Sequence, residues 1–153
     1  MRLRPGTLKD YIELVSMFKD LIVTVYDGFE IGEDIFMHGT VQQWFQNKKD
    51  IVICENKDGE IVGFTLGYIE DIGIVHPYYF GDLAYVKPEY RKSRAAYMLY
   101  NNLVEYADGQ GLPLMAKAFV SEENKDQVGK IQGKFGRPRF IEFHRTCGGE
   151  NVK

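Results

Sequence analysis

The stretch that decides the fold lies near the middle of the chain and comprises a strand, a basic loop and a helix. It reads Leu83-Ala84-Tyr85-Val86-Lys87-Pro88-Glu89-Tyr90-Arg91-Lys92-Ser93-Arg94-Ala95-Ala96-Tyr97-Met98-Leu99. Residues 80–86 are rich in aromatic and branched side chains, which is typical of a strand. Pro88 ends this strand, because proline has no N–H to donate to a ladder. From about Ala95 the apolar residues recur every three or four positions, which predicts a helix.

One apolar face and a glycine-containing end define this helix. The face is expected to comprise Met98, Leu99, Asn102, Leu103 and Tyr106. Asp108-Gly109 and then Gly111 predict the end, because glycine readily adopts the left-handed conformation that closes helices.

The loop before this helix carries three cations, Arg91, Lys92 and Arg94. The first turn of a helix has unpaired N–H groups and a partial positive charge, so a phosphate can bind there. Three basic residues are also what an ordinary solvated surface loop contains. The residues alone therefore leave phosphate binding and a merely solvated loop both open.

The composition predicts one globular domain. Of the 153 residues, 44% are hydrophobic and 27% charged, which suits a chain with a sizeable core. The net charge of -3 argues against general nucleic-acid binding. Cys54 and Cys147 have no metal-ligand spacing, so we expect no metal site and reduced thiols in a cytoplasmic protein. The sequence begins with no signal peptide and has no membrane-length apolar run, so no membrane association is expected.

Two helices are predicted in the first third of the chain, after a short strand at residues 2–4. Thr7 is the expected N-cap of the first helix, with Asp10 as its capping partner and an apolar stripe that continues to about Val25. The second helix is predicted over residues 32–47, and His38-Gly39 marks a point at which it can divide in two.

The remaining elements are strands joined by turns and helices. Residues 51–55 and 61–69 form a predicted hairpin around the turn Asn56-Lys57-Asp58-Gly59. Beyond the central helix, a strand is expected at 113–119, a helix that opens at 121–124 and a last strand at 140–145. This order predicts an α/β (α+β) fold with helices on the faces of a sheet. Residues 1–147 form a single domain, and 148–153 are a polar tail.

The strand, loop and helix resemble the acetyl-CoA-binding segment of the GNAT (Gcn5-related N-acetyltransferase) superfamily. The lead-in Val86-Lys87-Pro88-Glu89-Tyr90-Arg91 is the more specific part of this likeness. The family's loop pattern is Gln/Arg-x-x-Gly-x-Gly/Ala, and here Arg91 and Ala96 match its first and last positions. The order of elements over residues 2–145 also follows the family. The resemblance implies a mixed, mostly antiparallel central sheet flanked by helices.

Acetyl-CoA is the cofactor that the resemblance implies. In the family the central strand and the next one separate, and the pantetheine arm pairs with the backbone groups exposed in the gap. The pantetheine-pairing residues would be Leu83, Ala84, Tyr85 and Val86. The pyrophosphate would lie over the amides of Arg91, Lys92, Ser93, Arg94, Ala95 and Ala96. Asn124 is a further expected cofactor contact, with a helix N-cap role as its alternative.

Arg94 departs from the family, because it stands where the pattern has its first glycine. Glycine accepts positive φ and lets the backbone approach a pyrophosphate closely, whereas arginine is strained at positive φ. If the loop has ordinary dihedrals, Arg94 can instead bind a phosphate oxygen through its guanidinium. The sequence leaves both outcomes open.

The implied reaction is direct transfer of an acetyl group to a primary amine, which requires a general base. In several family members the base lies shortly before the Leu-Ala-x-Val segment, where this chain has Asp82. Glu70, Asp71 and His76 are the other candidates. The family often has a tyrosine acid in the last helix, and its position here is occupied by Gln132, which cannot act as an acid.

The acceptor is expected to be an amine of a small molecule or of a protein. Its pocket would be built from the first two helices, with Tyr26, Phe29, Phe36, Trp44 and His38 nearby. A homodimer through edge strands or helices fits the sequence, which does not decide the oligomeric state.

A second class of function also fits the residues. Arg94 for glycine, Gln132 for tyrosine and the altered Gly136-Arg137 ending favour a catalytically degenerate protein of the same fold. Such a protein would be an interaction module, in a complex or as a virus-encoded accessory protein. The retained Arg91, Ala96 and lead-in favour the enzyme, and the ability of the 91–96 loop to hold a pyrophosphate discriminates between the two.

Overall fold

A computed structural model of the chain describes residues 1–25, 34–116 and 129–130. The strands are β1 (Arg2–Pro5), β2 (Asp50–Glu55), β3 (Ile61–Glu70), β4 (Tyr78–Val86) and β5 (Leu114–Ala116). The helices are α1 (Tyr11–Val25), α2 (Asp34–Gln46) and α3 (Ala95–Gln110). These elements follow one another in the predicted order. Of the predicted helix after residue 121, the structure describes only residues 129–130, which are helical. The last strand and the tail lie outside the described residues.

The five described strands form one sheet in the order β1-β2-β3-β4-β5. β1 to β4 pair antiparallel, and β5 runs parallel to β4. The predicted mixed, mostly antiparallel sheet is therefore confirmed. The β2–β3 turn is also as predicted, since the Asn56 amide donates to the Glu60 carbonyl at 2.9 Å and Gly59 has a φ of 84°.

Helices cover both faces of the sheet. α1 and α2 lie on one face, where Phe18 and Trp44 pack edge to face, with ring centroids 5.0 Å apart, above Phe64 of β3. α3 lies on the other face, where its residues Ala95 and Leu99 pack with Val62 of β3 in one cluster. Burial of each such large apolar side chain contributes roughly 1.5–3 kcal/mol to the free energy of unfolding, so both helical layers stabilise the sheet.

Three predicted boundaries are corrected by the structure. α2 runs without a break across His38-Gly39, so it is one helix rather than two. β4 begins at Tyr78, two residues before the predicted start, because its first residues pair with the end of β3. α3 continues through Gly109 and ends at Gly111, whose φ of 67° gives the left-handed cap.

The buried face of α3 also differs from the predicted one. It consists of Ala95, Leu99, Leu103 and Ala107, spaced four residues apart. Met98 and Asn102 are only half-buried and Tyr106 is exposed, although all three were predicted to be buried with the leucines. The reason is steric, because the small alanines let the helix backbone approach the sheet while bulkier neighbours lie at its flanks.

A partly buried ion network fixes β1 to β2 and to the turn that precedes α1. The guanidinium of Arg4 donates to both carboxylate oxygens of Asp10, at 2.7 and 2.8 Å, and also to Glu55. Arg2 donates to the other oxygen of Glu55 at 2.7 Å. The predicted capping partner is confirmed, since Asp10 also accepts the Thr7 amide N–H at 2.8 Å. Hydrogen bonding from Arg4 is the main cause that lowers the pKa of Asp10 to about 2.

We expect Asp10→Asn to lower the free energy of unfolding by about 2 kcal/mol at neutral pH. The pKa of Asp10 is lower in the folded protein than its ordinary value of 3.8, so its contribution is present above that value. The contribution should be lost as the pH falls towards 2. Urea unfolding at several pH values measures this difference.

The exposed Asp58→Asn is the matched control and should leave stability unchanged. A destabilisation by Asp10→Asn that is as large at pH 2 as at neutral pH would contradict this assignment.

Candidate active site

The central strand β4 contains a bulge at Asp82. Gly81 pairs with Gly67 of β3, and Leu83 pairs with the adjacent Leu66, so Asp82 is the extra residue between them. A bulge of this kind bends a strand and changes the direction of the side chains that follow it. The predicted general base and the predicted pantetheine-pairing segment therefore meet at one irregularity of the strand.

The bulge exchanges the two faces of β4. Before it, Tyr79 packs against Leu103 and Ala107 of α3. After it, Leu83 and Tyr85 pack into the core formed with α1 and α2, although their odd numbers would place them on the α3 side of a regular strand. One strand thus contributes to both cores, and its backbone changes direction at Asp82.

The predicted pantetheine segment follows the bulge directly. Leu83, Ala84, Tyr85 and Val86 pair on one side with residues 63–66 of β3. On the other side, the described part of β5 pairs only with residues 79–81, before the bulge. The predicted separation of the two strands would begin after Ala116, outside the described residues, and it stays a prediction.

The side chain of Tyr85 belongs to the core rather than to a cofactor surface. It is 4% exposed, and its hydroxyl donates to Asp20 of α1 at 3.4 Å. Burial, followed by the charge of Asp20, raises the pKa of this phenol. Only its backbone is available to a ligand, as the pantetheine-pairing role requires.

The loop after β4 has ordinary backbone geometry throughout. Pro88–Tyr90 forms a short 3-10 helix, and Arg91 follows with a φ of -62°. Arg94 has a φ of -79°, and the one residue other than glycine with positive φ in the described part of the chain is Lys48. Arg94 is therefore unstrained in this loop, and its role toward a phosphate stays a prediction.

The backbone amides at the start of α3 differ in whether they are hydrogen-bonded. The Ser93 amide donates to the Tyr90 carbonyl at 2.9 Å, and the Ala95 amide donates to the Ser93 hydroxyl at 3.1 Å. The amides of Lys92, Arg94 and Ala96 have no partner among the described residues. The N-cap residue of α3 is Arg94, which makes no side-chain cap hydrogen bond, and the contact of the Ser93 hydroxyl with the Ala95 amide was not predicted.

The three cations of the loop differ in their surroundings. Arg91 is half-buried, and its Nε donates to the Val86 carbonyl at 3.2 Å, which folds its side chain back on the end of β4. Lys92 and Arg94 are exposed. The loop thus combines donor amides with positive charge, which is the combination that binds phosphate groups.

Among the candidate bases, only Asp82 lies within the central strand. It is half-buried, and its charge, together with burial as the larger cause, raises the pKa of Tyr68 on the neighbouring strand. Asp71 and His76 lie in the exposed connection between β3 and β4, where the Asp71 carboxylate accepts the Gly73 amide at 3.0 Å. Glu70 is the last residue of β3. Asn124 and Gln132 lie outside the described residues.

An aromatic cluster beside Asp82 was not predicted. The rings of Tyr68 and Phe80 meet edge to face at 5.5 Å, and Tyr78 approaches Phe80 at 6.4 Å. The Lys49 ammonium lies 3.6 Å from the centroid of the Tyr68 ring, a cation–π contact. The alternation of residues 78 and 80 along β4 was the signal that could have indicated this shared face.

Trp44, expected near an acceptor pocket, is a core residue, and the pocket itself stays a prediction. Trp44 is 5% exposed and packs between Phe18 and Phe64, so it belongs to the core. The hydroxyl of Tyr11 lies 3.0 Å from Nδ1 of His38, and Phe36 is exposed. Tyr26 and Phe29 lie outside the described residues.

No group of side chains that could hold a metal ion occurs in the part of the chain that the structure describes. Within the same residues, no helix is long and apolar enough to cross a membrane.

The chain is a mixed α/β protein, with helices on both faces of one sheet and a basic loop between the central strand β4 and the helix α3. The profile of the Acetyltransferase (GNAT) family matches residues 17–132. The chain therefore belongs to the GNAT acetyltransferase family, as the sequence predicted.

Solved structures, among them those of acetyltransferases, share this fold. A tetramutant of the BH1408 protein from Bacillus halodurans has a TM-score of 0.76 at 12% identity, over 95% of this chain and 99% of that one. The aminoglycoside 6'-N-acetyltransferase AAC(6')-IG from Acinetobacter haemolyticus has a TM-score of 0.68 at 14% identity, over 97% and 100%. A predicted acetyltransferase from Clostridium acetobutylicum, solved with acetyl-CoA, has a TM-score of 0.71 at 17% identity, over 95% and 94%. No curated protein sequence matches the chain.

Proposed function

We propose that this protein is an acetyl-CoA-dependent N-acetyltransferase that acts on a primary amine. One observation carries the proposal. At the start of α3, the backbone amides of Lys92, Arg94 and Ala96 have no hydrogen-bond acceptor among the described residues. Membership of the GNAT family gives these amides a cofactor of suitable chemistry.

The residues present fit a CoA diphosphate. Its oxygens require N–H donors and positive charge, and the 91–96 loop has three cations and three amides without a partner among the described residues. The ordinary φ of Arg94 supports the proposal, because a side chain at this position causes no backbone strain. In this proposal residues 83–86 hold the pantetheine arm through their backbone, and Asn124 is a further contact.

Asp82 is proposed as the general base. Acetyl-CoA supplies a thioester, and transfer forms an amide C–N bond while the C–S bond breaks and the thiol of CoA departs. The amine must first lose a proton to become nucleophilic, and a carboxylate next to the pantetheine segment can accept it, directly or through water. The position of Asp82 within β4 favours it over Asp71 and His76, which lie in an exposed connection. The proposal assigns no general acid, because Gln132 cannot be one.

The acceptor is proposed to be an amine that carries a positive charge before it reacts. The aromatic cluster of Tyr68, Tyr78 and Phe80 beside Asp82 supports this, because aromatic faces and carboxylates both attract ammonium groups. Two aminoglycoside N-acetyltransferases with the same fold make aminoglycosides one class to test.

Release of free thiol from acetyl-CoA, followed over a panel of acceptors, tests the proposal. The panel should hold aminoglycosides, linear polyamines, lysine-containing peptides and peptides with a free terminal amine. We expect at least one class to raise thiol release well above the rate without acceptor, with mass spectrometry showing an added acetyl group. Binding of CoA without transfer to any amine would contradict the enzyme and favour the interaction module.

Arg91→Ala should weaken acetyl-CoA binding roughly 10- to 100-fold, because it removes a cation and the bond that holds the loop to Val86. Arg94→Gly should leave the affinity unchanged, since Arg94 already has a φ that any residue adopts. Calorimetric titration of both variants measures the difference. A loss of affinity in Arg94→Gly similar to that in Arg91→Ala would show that the Arg94 side chain holds phosphate.

Asp82→Asn should lower kcat about 100-fold or more and leave the KM for acetyl-CoA unchanged, because the amide cannot accept the proton. Asp71→Asn is the matched control, an acid of the adjacent connection whose removal should leave kcat unchanged. Initial rates at saturating acceptor measure both effects. Full activity of Asp82→Asn, or an equal fall in Asp71→Asn, would show that the base lies elsewhere.

A further inference from the structure

A hydrogen-bond network ties Tyr90, the residue before the cationic loop, to the β2–β3 turn. The Tyr90 hydroxyl donates to Oε2 of Glu60 at 2.8 Å. The side-chain amide of Asn56 donates to the Tyr90 hydroxyl at 3.2 Å and to the same Glu60 oxygen at 3.0 Å. The three groups form a closed triangle between two segments that lie 30 residues apart in the chain.

The backbone of Tyr90 carries this attachment to the start of α3. Its carbonyl accepts the Ser93 amide at 2.9 Å, and the Ser93 hydroxyl in turn accepts the Ala95 amide at 3.1 Å. The amides of Lys92, Arg94 and Ala96, which have no acceptor among the described residues, lie between or beside these bonded residues. The direction of these three N–H groups therefore depends on the position of Tyr90.

Both partners have the protonation state that the bond requires. The hydrogen bond from Tyr90 is the main cause that lowers the pKa of Glu60, so this carboxylate is ionised at neutral pH. The same bond raises the pKa of Tyr90, which keeps its hydroxyl protonated as the donor. Lys87 binds the other oxygen of Glu60 at 3.3 Å and Glu13 of α1 at 2.8 Å, so the turn, the loop and α1 are linked.

We propose that Tyr90 is a positioning residue, which aims the donor amides of the 91–96 loop by anchoring the loop to Glu60 and Asn56. The inference rests on the proposed binding of the CoA diphosphate by this loop. The new element is the β2–β3 turn, which makes no contact with the cofactor in the proposed site. Through Tyr90, this turn sets the affinity for the phosphate part of the cofactor. Preorganised donors bind an anion more tightly than donors that must first be ordered.

Tyr90→Phe tests the proposal, because it removes the hydroxyl and keeps the ring that packs against the α3 core. We expect this variant to bind CoA about tenfold more weakly than the wild type. Binding of pantetheine, which has no phosphate, should be unchanged. Tyr106→Phe, at the other end of α3, is the matched control and should bind both ligands as the wild type does.

Glu60→Ala removes the acceptor of the same bond, together with the ion pair to Lys87. In a Glu60→Ala background, Tyr90→Phe should add little to the loss of CoA affinity, because the carboxylate that accepts the Tyr90 hydroxyl is already absent. An unchanged affinity for CoA in Tyr90→Phe, or an equal loss for CoA and pantetheine, would overturn the positioning role.

Hydrogen exchange of backbone amides separates this inference from the proposed function. Without any ligand, the Ser93 and Ala95 amides should exchange several-fold faster in Tyr90→Phe than in the wild type, and at unchanged rates in Tyr106→Phe. If the wild type binds no CoA, the proposed function fails while the exchange still reports on the anchor. Unchanged exchange at both amides in Tyr90→Phe would overturn the anchor itself.

Discussion

The bulge at Asp82 is the constraint on which the arrangement of the site depends. One extra residue in β4 exchanges the faces of the strand, so that Tyr79 packs under α3 while Leu83 and Tyr85 pack under α1 and α2. A strand that contributes to both cores is held firmly on either side of the irregularity. The backbone after the bulge is therefore fixed where the cofactor arm is proposed to lie, and Asp82 is the residue at the change of direction.

The start of α3 depends on the same strand. Val86 ends β4, and its carbonyl accepts a hydrogen bond from Arg91, so the loop begins at a fixed point. Tyr90 attaches the loop to the β2–β3 turn, and the Ser93 hydroxyl accepts the Ala95 amide. Within the described residues, no partner binds the amides of Lys92, Arg94 and Ala96, and no residue of the loop has a positive φ. In the proposed site, anchoring by side chains takes the place of the glycine in the family's loop pattern.

Local sequence signals predicted most of the fold and the loop. The hairpin turn at residues 56–59, the capping pair of Thr7 and Asp10 and the basic loop before α3 all depend on neighbouring residues, and the residue types at these positions indicate them. The bulge was missed because its position is set by pairing with β3. The burial of Trp44 was not predicted, since an aromatic side chain has the same local pattern near a pocket and in the core. The contact of Tyr90 with Glu60 joins distant segments, which a linear pattern does not reveal.

Calorimetric titration of the purified wild-type protein with acetyl-CoA, with CoA as comparison, tests the central claim most directly. The account predicts binding with a dissociation constant in the micromolar range. It also predicts that the affinity falls as salt is added, because charged groups of the loop bind the diphosphate. The absence of binding at millimolar acetyl-CoA would contradict the claim that the 91–96 loop holds a cofactor, and with it the proposed transferase activity.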